Sequence, residues 1–172
     1  MPNQIVAING SSRPSAYNAK LIRAIAKRYH SNSYELVLDL TGLPLYLADQ
    51  EESYINAAVQ ELRKSILSAD AVIISCPEYI HNIPAVLKNA LEWLTKSGEL
   101  NTKRILPITY SPNKPRGAHA MTSFIASLKA LNANIVGSLQ LYQNELIINE
   151  ESEMSGSSSV ALLDAAIDTL IG

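Results

Sequence analysis

The run AVIIS at residues 71–75 is the most β-branched stretch of the chain, and it decides the fold class. A continuous apolar run of this length is typical of a strand that is buried on both faces of a parallel sheet. Apolar residues at helical spacing occupy residues 53–68 before it and residues 83–96 after it. A strand between two helices predicts right-handed βαβ crossovers and a sheet covered on both faces.

The same alternation extends over the rest of the chain. Ser53 is placed to cap the helix that it begins, and Gly98 lies where the C-cap of the next helix is expected. Five strands and five helices in this order fit an α/β, flavodoxin-like doubly wound five-stranded parallel sheet of order 2-1-3-4-5, in a single domain over residues 1–172. The other predicted strands are residues 4–8, 34–40, 104–110 and 134–142, and the other helices are residues 18–30, 117–131 and 160–171.

One proline conflicts with this plan. Pro107 falls inside the predicted strand at residues 104–110, which is an interior strand in the order 2-1-3-4-5. A proline cannot donate to a ladder of backbone hydrogen bonds. Either a bulge accommodates Pro107 or the strand begins later, and the sequence leaves both possibilities open.

Composition and charge restrict the partners. The chain is 47% hydrophobic and 17% charged, which is ordinary for a globular protein. Its net charge of −2 provides no basic surface for nucleic acid. No apolar run reaches the ~18 residues of a membrane span, and no leader pattern is visible. We therefore expect a cytoplasmic protein that binds neither membranes nor nucleic acid.

Three loops follow strands 1, 3 and 4, at residues 9–18, 76–83 and 111–117. In an open parallel sheet, ligands bind beyond the carboxyl ends of the strands, at the point where the strand order reverses. These loops are therefore the candidate ligand site.

The first of them, GSSRPSAYN at residues 10–18, suits a phosphate. Arg13 supplies positive charge, Gly10 is expected to turn the chain with positive φ, and the following helix offers free N–H groups. A capped loop that binds nothing is the alternative. The dinucleotide fingerprint and the Walker A motif are both missing. The side chains that can donate to a phosphate are Ser11, Ser12, Ser15 and Asn18.

The second loop opens the segment CPEYIHNIPAVLKNALEWL at residues 76–94. Pro77 and Pro84 stiffen the loop, so its backbone groups stand at fixed positions that suit a flat heteroaromatic ring. Tyr79 could lie against such a ring, or it could pack on its own helix.

Together, GSSRPSAYN and PEYIHNIPAVLKNALEW (77–93) closely resemble the NAD(P)H-dependent FMN reductases and the related quinone, azo-dye and chromate reductases. The resemblance implies that a phosphate of FMN is held by Ser11, Arg13, Ser15 and Asn18. It implies that the isoalloxazine ring is flanked by Pro77, Glu78 and Tyr79, with the backbone amides of Ile80 and His81 at its polar edge. Ser111 and the loop to Gly117 would close the third side.

The resemblance also implies an activity. FMN would take a hydride from NADPH or NADH and then reduce a flavin, a quinone or a similar small-molecule acceptor by two electrons. No catalytic side chain and no metal are expected. The family suggests a homodimer or homotetramer, for which the helix with Trp93 and the loop at residues 43–46 are candidate contacts.

Two departures from the family pattern leave alternatives open. Ile80 stands where the family has asparagine, although Asn82 could replace that amide. The third loop, usually glycine-rich, is SPNKPRG, in which Lys114 or Arg116 could bind the 2′-phosphate or the pyrophosphate of the nicotinamide nucleotide. A flavodoxin-type electron carrier is an alternative function, although such proteins are strongly acidic. A relative that has lost its flavin is another.

Overall fold

The computed structural model describes residues 4–29, 34–37, 39–49 and 55–172. Its strands are β1 (Ile5–Asn9), β2 (Tyr34–Val37), β3 (Ala71–Cys76), β4 (Arg104–Ser111), β5 (Asn134–Ile135), β6 (Leu139–Tyr142), β7 (Ile147–Ile148) and β8 (Met154–Ser155). Its helices are α1 (Tyr17–Arg28), α2 (Ala57–Ser68), α3 (Ala85–Trp93), α4 (Ala118–Ala130) and α5 (Ser157–Ile171).

The main sheet is parallel and has the order β2-β1-β3-β4-β5, with β6 also paired to β4, so the predicted topology is confirmed. Every residue of β3 is buried. Val72 and Ile74 belong to the core layer under α2, α3 and α4, whereas Ala71 and Ile73 belong to the layer under α1 and α5. Alternate residues of the AVIIS run thus join the two layers through the sheet.

Pro107 lies inside β4, where it is paired with Ile74 of β3, and the expected fifth strand is broken beside it. The carbonyl of Ile105 accepts a hydrogen bond from the N–H of Val136 at 3.1 Å. Because backbone groups alternate along a strand, the nitrogen of Pro107 faces the same side and cannot donate there. The single strand predicted at residues 134–142 is therefore wrong: it is β5 and β6, separated by residues 136–138.

Several boundaries also differ from the prediction. Helix α2 begins at Ala57, where the side chain of Asn56 accepts a hydrogen bond from the N–H of Val59. Ser53, the expected cap, lies outside the described residues, as does His30, at which α1 was expected to end. Before α5, the short strands β7 and β8 form an antiparallel pair that was not predicted. Within the described ranges, every helix falls short of the length and apolarity needed to cross a bilayer.

Candidate functional site

A cleft of about 260 Å³ lies at the carboxyl edge of the sheet, and all three predicted loops contribute to it. The first loop (residues 10–16) follows β1, the second (77–84) follows β3, and the third (112–117) follows β4. The predicted residues that line the cleft are Ser11, Arg13, Asn18, Pro77, Glu78, Tyr79 and Ser111.

Four predicted residues do not line the cleft. Ser15 is exposed on the first loop. Ile80 and His81 form the tip of the second loop, and Gly117 ends the third loop beside the side chains of Thr109 and Ser111. Their contacts with a ligand stay predictions.

The side chain of Asn9 shapes the first loop, and sequence reasoning missed it. Its Oδ1 accepts a hydrogen bond from the N–H of Ser11 at 3.2 Å, and its Nδ2 donates to the carbonyls of Ser11 and Arg13 at 3.3 and 3.2 Å. Because the Ser11 carbonyl faces Asn9, the N–H of Ser12 in the same trans peptide points away from Asn9. A polar side chain at the end of a buried strand was the available signal.

Gly10 is required for a reason other than the predicted one. The expected positive φ is wrong, because the glycines with positive φ are Gly98, Gly117 and Gly156. A Cβ atom at Gly10 would instead lie 2.8 Å from the Cβ of Cys76 and 2.9 Å from Cδ2 of Leu87. The first loop therefore crosses the end of β3 at a distance that only a glycine permits.

Asn18 ties the start of α1 to two strands. Its Oδ1 accepts a hydrogen bond from the hydroxyl of Ser75 at 2.7 Å, and its Nδ2 donates to the carbonyl of Tyr110 at 3.3 Å. The side chain is buried, yet the residue lines the cleft. Asn18 therefore fixes the shape of the site, and its second amide hydrogen remains as a donor for a ligand.

Ser111 places a hydroxyl group without a partner at the bottom of the cleft. The hydroxyls of Ser111 and Thr109 are buried and have no hydrogen-bond partner among the described residues. A Cβ atom at Gly117, where φ is +99°, would lie 2.9 Å from Oγ1 of Thr109 and 3.1 Å from Oγ of Ser111. The third loop thus folds back over the end of β4. Buried hydroxyls are normally bonded, so the Ser111 hydroxyl is suited to a polar ligand atom.

The second loop contains a tight turn of unusual composition. The N–H of Tyr79 donates to the carbonyl of Asn82 at 2.9 Å, and the reverse bond measures 3.0 Å. Between them, Ile80 and His81 have φ of +50° and +55°, as in a type I′ turn. Within the described chain, no hydrogen bond uses the N–H of Ile80 or His81. These are the two amides predicted to face a ring edge. The side-chain oxygen of Asn82 accepts from the N–H of Ile83, so it is already occupied.

Glu78 connects the second loop to the third. Its carboxylate accepts hydrogen bonds from the N–H groups of Gly117 and Ala120, both at 3.1 Å, and so caps α4. Burial raises the pKa of Glu78, but these N–H groups and the nearby His119 outweigh it, and the pKa lies below its ordinary value. Nδ1 of His81 lies 3.4 Å from the same carboxylate. Sequence reasoning placed Glu78 beside a ring and gave no signal of this capping role.

Sequence reasoning also missed other residues of the cleft. Tyr17 and Gln143 line it, as does Arg116, which the sequence offered only as an alternative. Gln143 follows β6, which ends at the same sheet edge, so strand order was the available signal. Among the described residues, no three His, Cys, Asp or Glu side chains are grouped so that they could share a metal ion.

The two candidate subunit contacts pack on each other within the chain. Nε1 of Trp93 donates to the carbonyl of Pro44 at 2.7 Å, and the ring of Tyr46 stands edge-on to Trp93 at 5.3 Å between centroids. Asn89 bonds the same loop through the N–H of Tyr46. Trp93 is therefore buried against its own chain, and a contact of its helix or of this loop with a second copy stays a prediction.

The comparisons with known proteins agree with one another. The family model for NADPH-dependent FMN reductase matches residues 3–145. The chain is 36% identical over 90 residues to NADH-dependent flavin reductase subunit 2 of Lactobacillus johnsonii, covering 52% of this chain and 47% of that protein. It is 36% identical over 95 residues to quinone reductase of Escherichia coli K12, covering 54% and 50%. This chain thus spans about half the length of these relatives.

The fold is shared with a solved flavoenzyme. FerB, an NAD(P)H:(acceptor) oxidoreductase from Paracoccus denitrificans, superposes with a TM-score of 0.80 at 21% sequence identity. The superposition covers 98% of this chain and 95% of FerB. At that identity the likeness shows the fold alone.

Proposed function

Because this chain belongs to the NADPH-dependent FMN reductase family, we propose that it is a flavin-dependent oxidoreductase that holds FMN without a covalent bond. It passes two electrons from NADPH or NADH to a flavin, a quinone or a similar acceptor. The observation that carries this proposal is the cleft, in which unused donors of the chain converge. They are the buried hydroxyl of Ser111 and the guanidinium groups of Arg13 and Arg116, none of which has a partner among the described residues.

The donors fit FMN in two places. Arg13, the buried Ser11 and the N-terminus of α1 form an anion site for the phosphate group. The amides of Ile80 and His81, which have no partner among the described residues, would supply donors for the polar edge of a ring, although neither residue lines the cleft. Ser15 stays a predicted ligand that the first loop would have to bring closer.

The residues of the cleft bind and orient rather than transfer protons. When bound, FMN supplies a ring that accepts a hydride and passes it on. Tyr17 and Tyr79 flank the cleft and can exclude water from it. Glu78 has its carboxylate committed to α4, and we assign no side chain to acid–base chemistry.

Reconstitution tests the proposal directly. The purified protein is saturated with FMN, free flavin is removed, and NADPH or NADH is added without oxygen. We expect flavin absorbance that stays with the protein and bleaches with at least one nucleotide. Flavin that stays but does not bleach would favour an electron carrier. Failure to retain any flavin at micromolar protein would overturn the proposal.

Arg13→Ala tests the phosphate site. We expect FMN affinity to fall about tenfold, because one charge-assisted hydrogen bond to the phosphate is lost. Fluorescence titration of FMN measures this change, and circular dichroism checks that the fold is intact. Lys64→Ala, which removes the same charge from an exposed position of α2, should leave FMN affinity unchanged. Equal affinities for both variants and the wild type would remove Arg13 from the site.

We also propose a homodimer or homotetramer in the cytoplasm, with one domain over residues 1–172. The exposed side chains of Leu45 and Leu47 supply apolar surface that a second copy could cover. Light scattering tests the assembly, since a particle of 18.7 kDa would contradict it.

A further inference from the structure

The cleft carries two guanidinium groups on opposite loops, Arg13 on the first and Arg116 on the third. Neither forms an ion pair or a side-chain hydrogen bond within the described part of the chain. The carboxylate that lines the cleft belongs to Glu78, and α4 already uses it. The cleft therefore offers two positive charges, one on each of these loops, and the proposed phosphate site of FMN on the first loop is assigned to Arg13.

The other cation of the third loop is oriented differently. Nζ of Lys114 lies 3.2 Å from a carboxylate oxygen of Glu145 and 5.2 Å from the centroid of the Tyr142 ring. Lys114 does not line the cleft. Of the two cations that the sequence offered as alternatives, only Arg116 is available to a ligand there.

The donors of the cleft differ in exposure. Ser11 and Ser111 are buried, which suits a cofactor that stays bound, whereas Arg13 and Arg116 are both exposed. An exposed guanidinium is accessible to a ligand that enters and leaves, and its planar fork matches a phosphate group. The nicotinamide nucleotide is the phosphate-bearing substrate of the proposed reaction, with a pyrophosphate and, in NADPH, a 2′-phosphate.

We propose that Arg116 binds a phosphate group of the nicotinamide nucleotide and thereby sets the affinity for that substrate. This inference rests on the proposed function. The backbone N–H of Arg116 donates to the carbonyl of Asn113 at 3.0 Å, so a turn of the third loop holds the residue in place.

The test compares Arg116→Ala with Lys114→Ala, because both remove one positive charge from the same loop. FMN-loaded protein is titrated with NADP⁺ and NAD⁺, which bind without turnover, by isothermal calorimetry at low salt. We expect about a tenfold loss of affinity for Arg116→Ala and less than about a twofold loss for Lys114→Ala. Arg116→Lys should recover part of the loss, and added salt should reduce the difference.

The two nucleotides identify the phosphate. A loss for NADP⁺ alone assigns the 2′-phosphate, and an equal loss for both assigns the pyrophosphate; either outcome supports the inference. Unchanged affinity in Arg116→Ala, an equal loss in Lys114→Ala, or a loss of FMN binding in Arg116→Ala would overturn it. Failure of the proposed function would be visible separately, since the wild type would then retain no FMN or would not be reduced.

Discussion

The first and second loops end at the same cleft but take their shapes from different sources. The first loop is held by the ends of β1 and β3: the side chain of Asn9 forms hydrogen bonds with its backbone, and Gly10 lies against Cys76. The second loop is held by its own backbone turn at Ile80 and His81, and by the carboxylate of Glu78 on α4. Packing against the sheet fixes the first loop, whereas hydrogen bonds fix the second loop in spite of its strained backbone.

This difference predicts how each loop responds to substitution. In the first loop no non-glycine residue has positive φ, so we expect it to be disturbed mainly by a larger side chain beneath it. A β-branched residue at positive φ costs about 1–2 kcal/mol, and such strain persists only where surrounding bonds over-determine it. Loss of the hydrogen bonds of the second loop should therefore lower the stability of the protein. A residue that tolerates positive φ in its turn should raise it.

Gly10→Ala should have the largest effect on stability. The new Cβ would lie 2.8 Å from the Cβ of Cys76, so backbone must shift. We expect a loss of about 2 kcal/mol and a fall in Tm of roughly 4–8 °C, measured by circular dichroism. Gly42→Ala is the control, because nothing lies within 4 Å of a Cβ there. Equal Tm values for the two variants would show that packing does not fix the first loop.

Glu78→Gln tests the hydrogen bonds of the second loop. At pH 7 we expect a loss of about 1.5 kcal/mol, because the ionised carboxylate interacts with the N-terminus of α4 more strongly than an amide does. Glu61→Gln, at an exposed position of α2, should change stability little. Urea unfolding measures both.

The pH dependence gives a second readout for Glu78. Burial raises the pKa of Glu78, but the N–H groups of Ala120 and Gly117 together with His119 outweigh it, so the pKa in the folded protein is lowered. The ionised form therefore favours the folded state, and this stabilisation is present above the unfolded pKa of about 4.3. The difference between wild type and Glu78→Gln should shrink as pH falls below that value. A difference independent of pH would mean that the charge of Glu78 contributes nothing.

Local patterns allowed the fold and the positions of the loops to be predicted. The AVIIS run and the helical spacing around it determine a parallel sheet, and strand order then determines which loops meet. The break between β5 and β6 could not be predicted because it depends on which edge of β4 the nitrogen of Pro107 faces. That orientation is a property of pairing between strands, and residue types do not encode it locally.

The side-chain contacts within the site were harder to predict for a similar reason. The bonds of Glu78 reach 39 and 42 residues along the chain, and those of Asn18 reach 57 and 92. Contacts at such separations appear only after the chain has folded. The turn at Ile80 and His81 lacks the glycine or asparagine that ordinarily signals positive φ, so no local signal was present.

Ile80→Asn should have the smallest effect and the opposite sign. The Ile80 side chain is 98% exposed, so its removal sacrifices almost no burial, while asparagine tolerates φ of +50° far better than a β-branched residue. We expect a gain of about 1 kcal/mol and a rise in Tm of roughly 2–4 °C by calorimetry.

The matched control is Leu45→Asn, at a leucine that is 73% exposed and has no positive φ. Loss of exposed apolar surface is common to both variants, so a rise confined to Ile80→Asn would come from the backbone. A fall in Tm for Ile80→Asn would contradict the strain, and it would mean that the isoleucine makes a stabilising contact with a group outside this chain. Because the backbone amides of residues 80 and 81 are kept, FMN affinity should not fall in either variant.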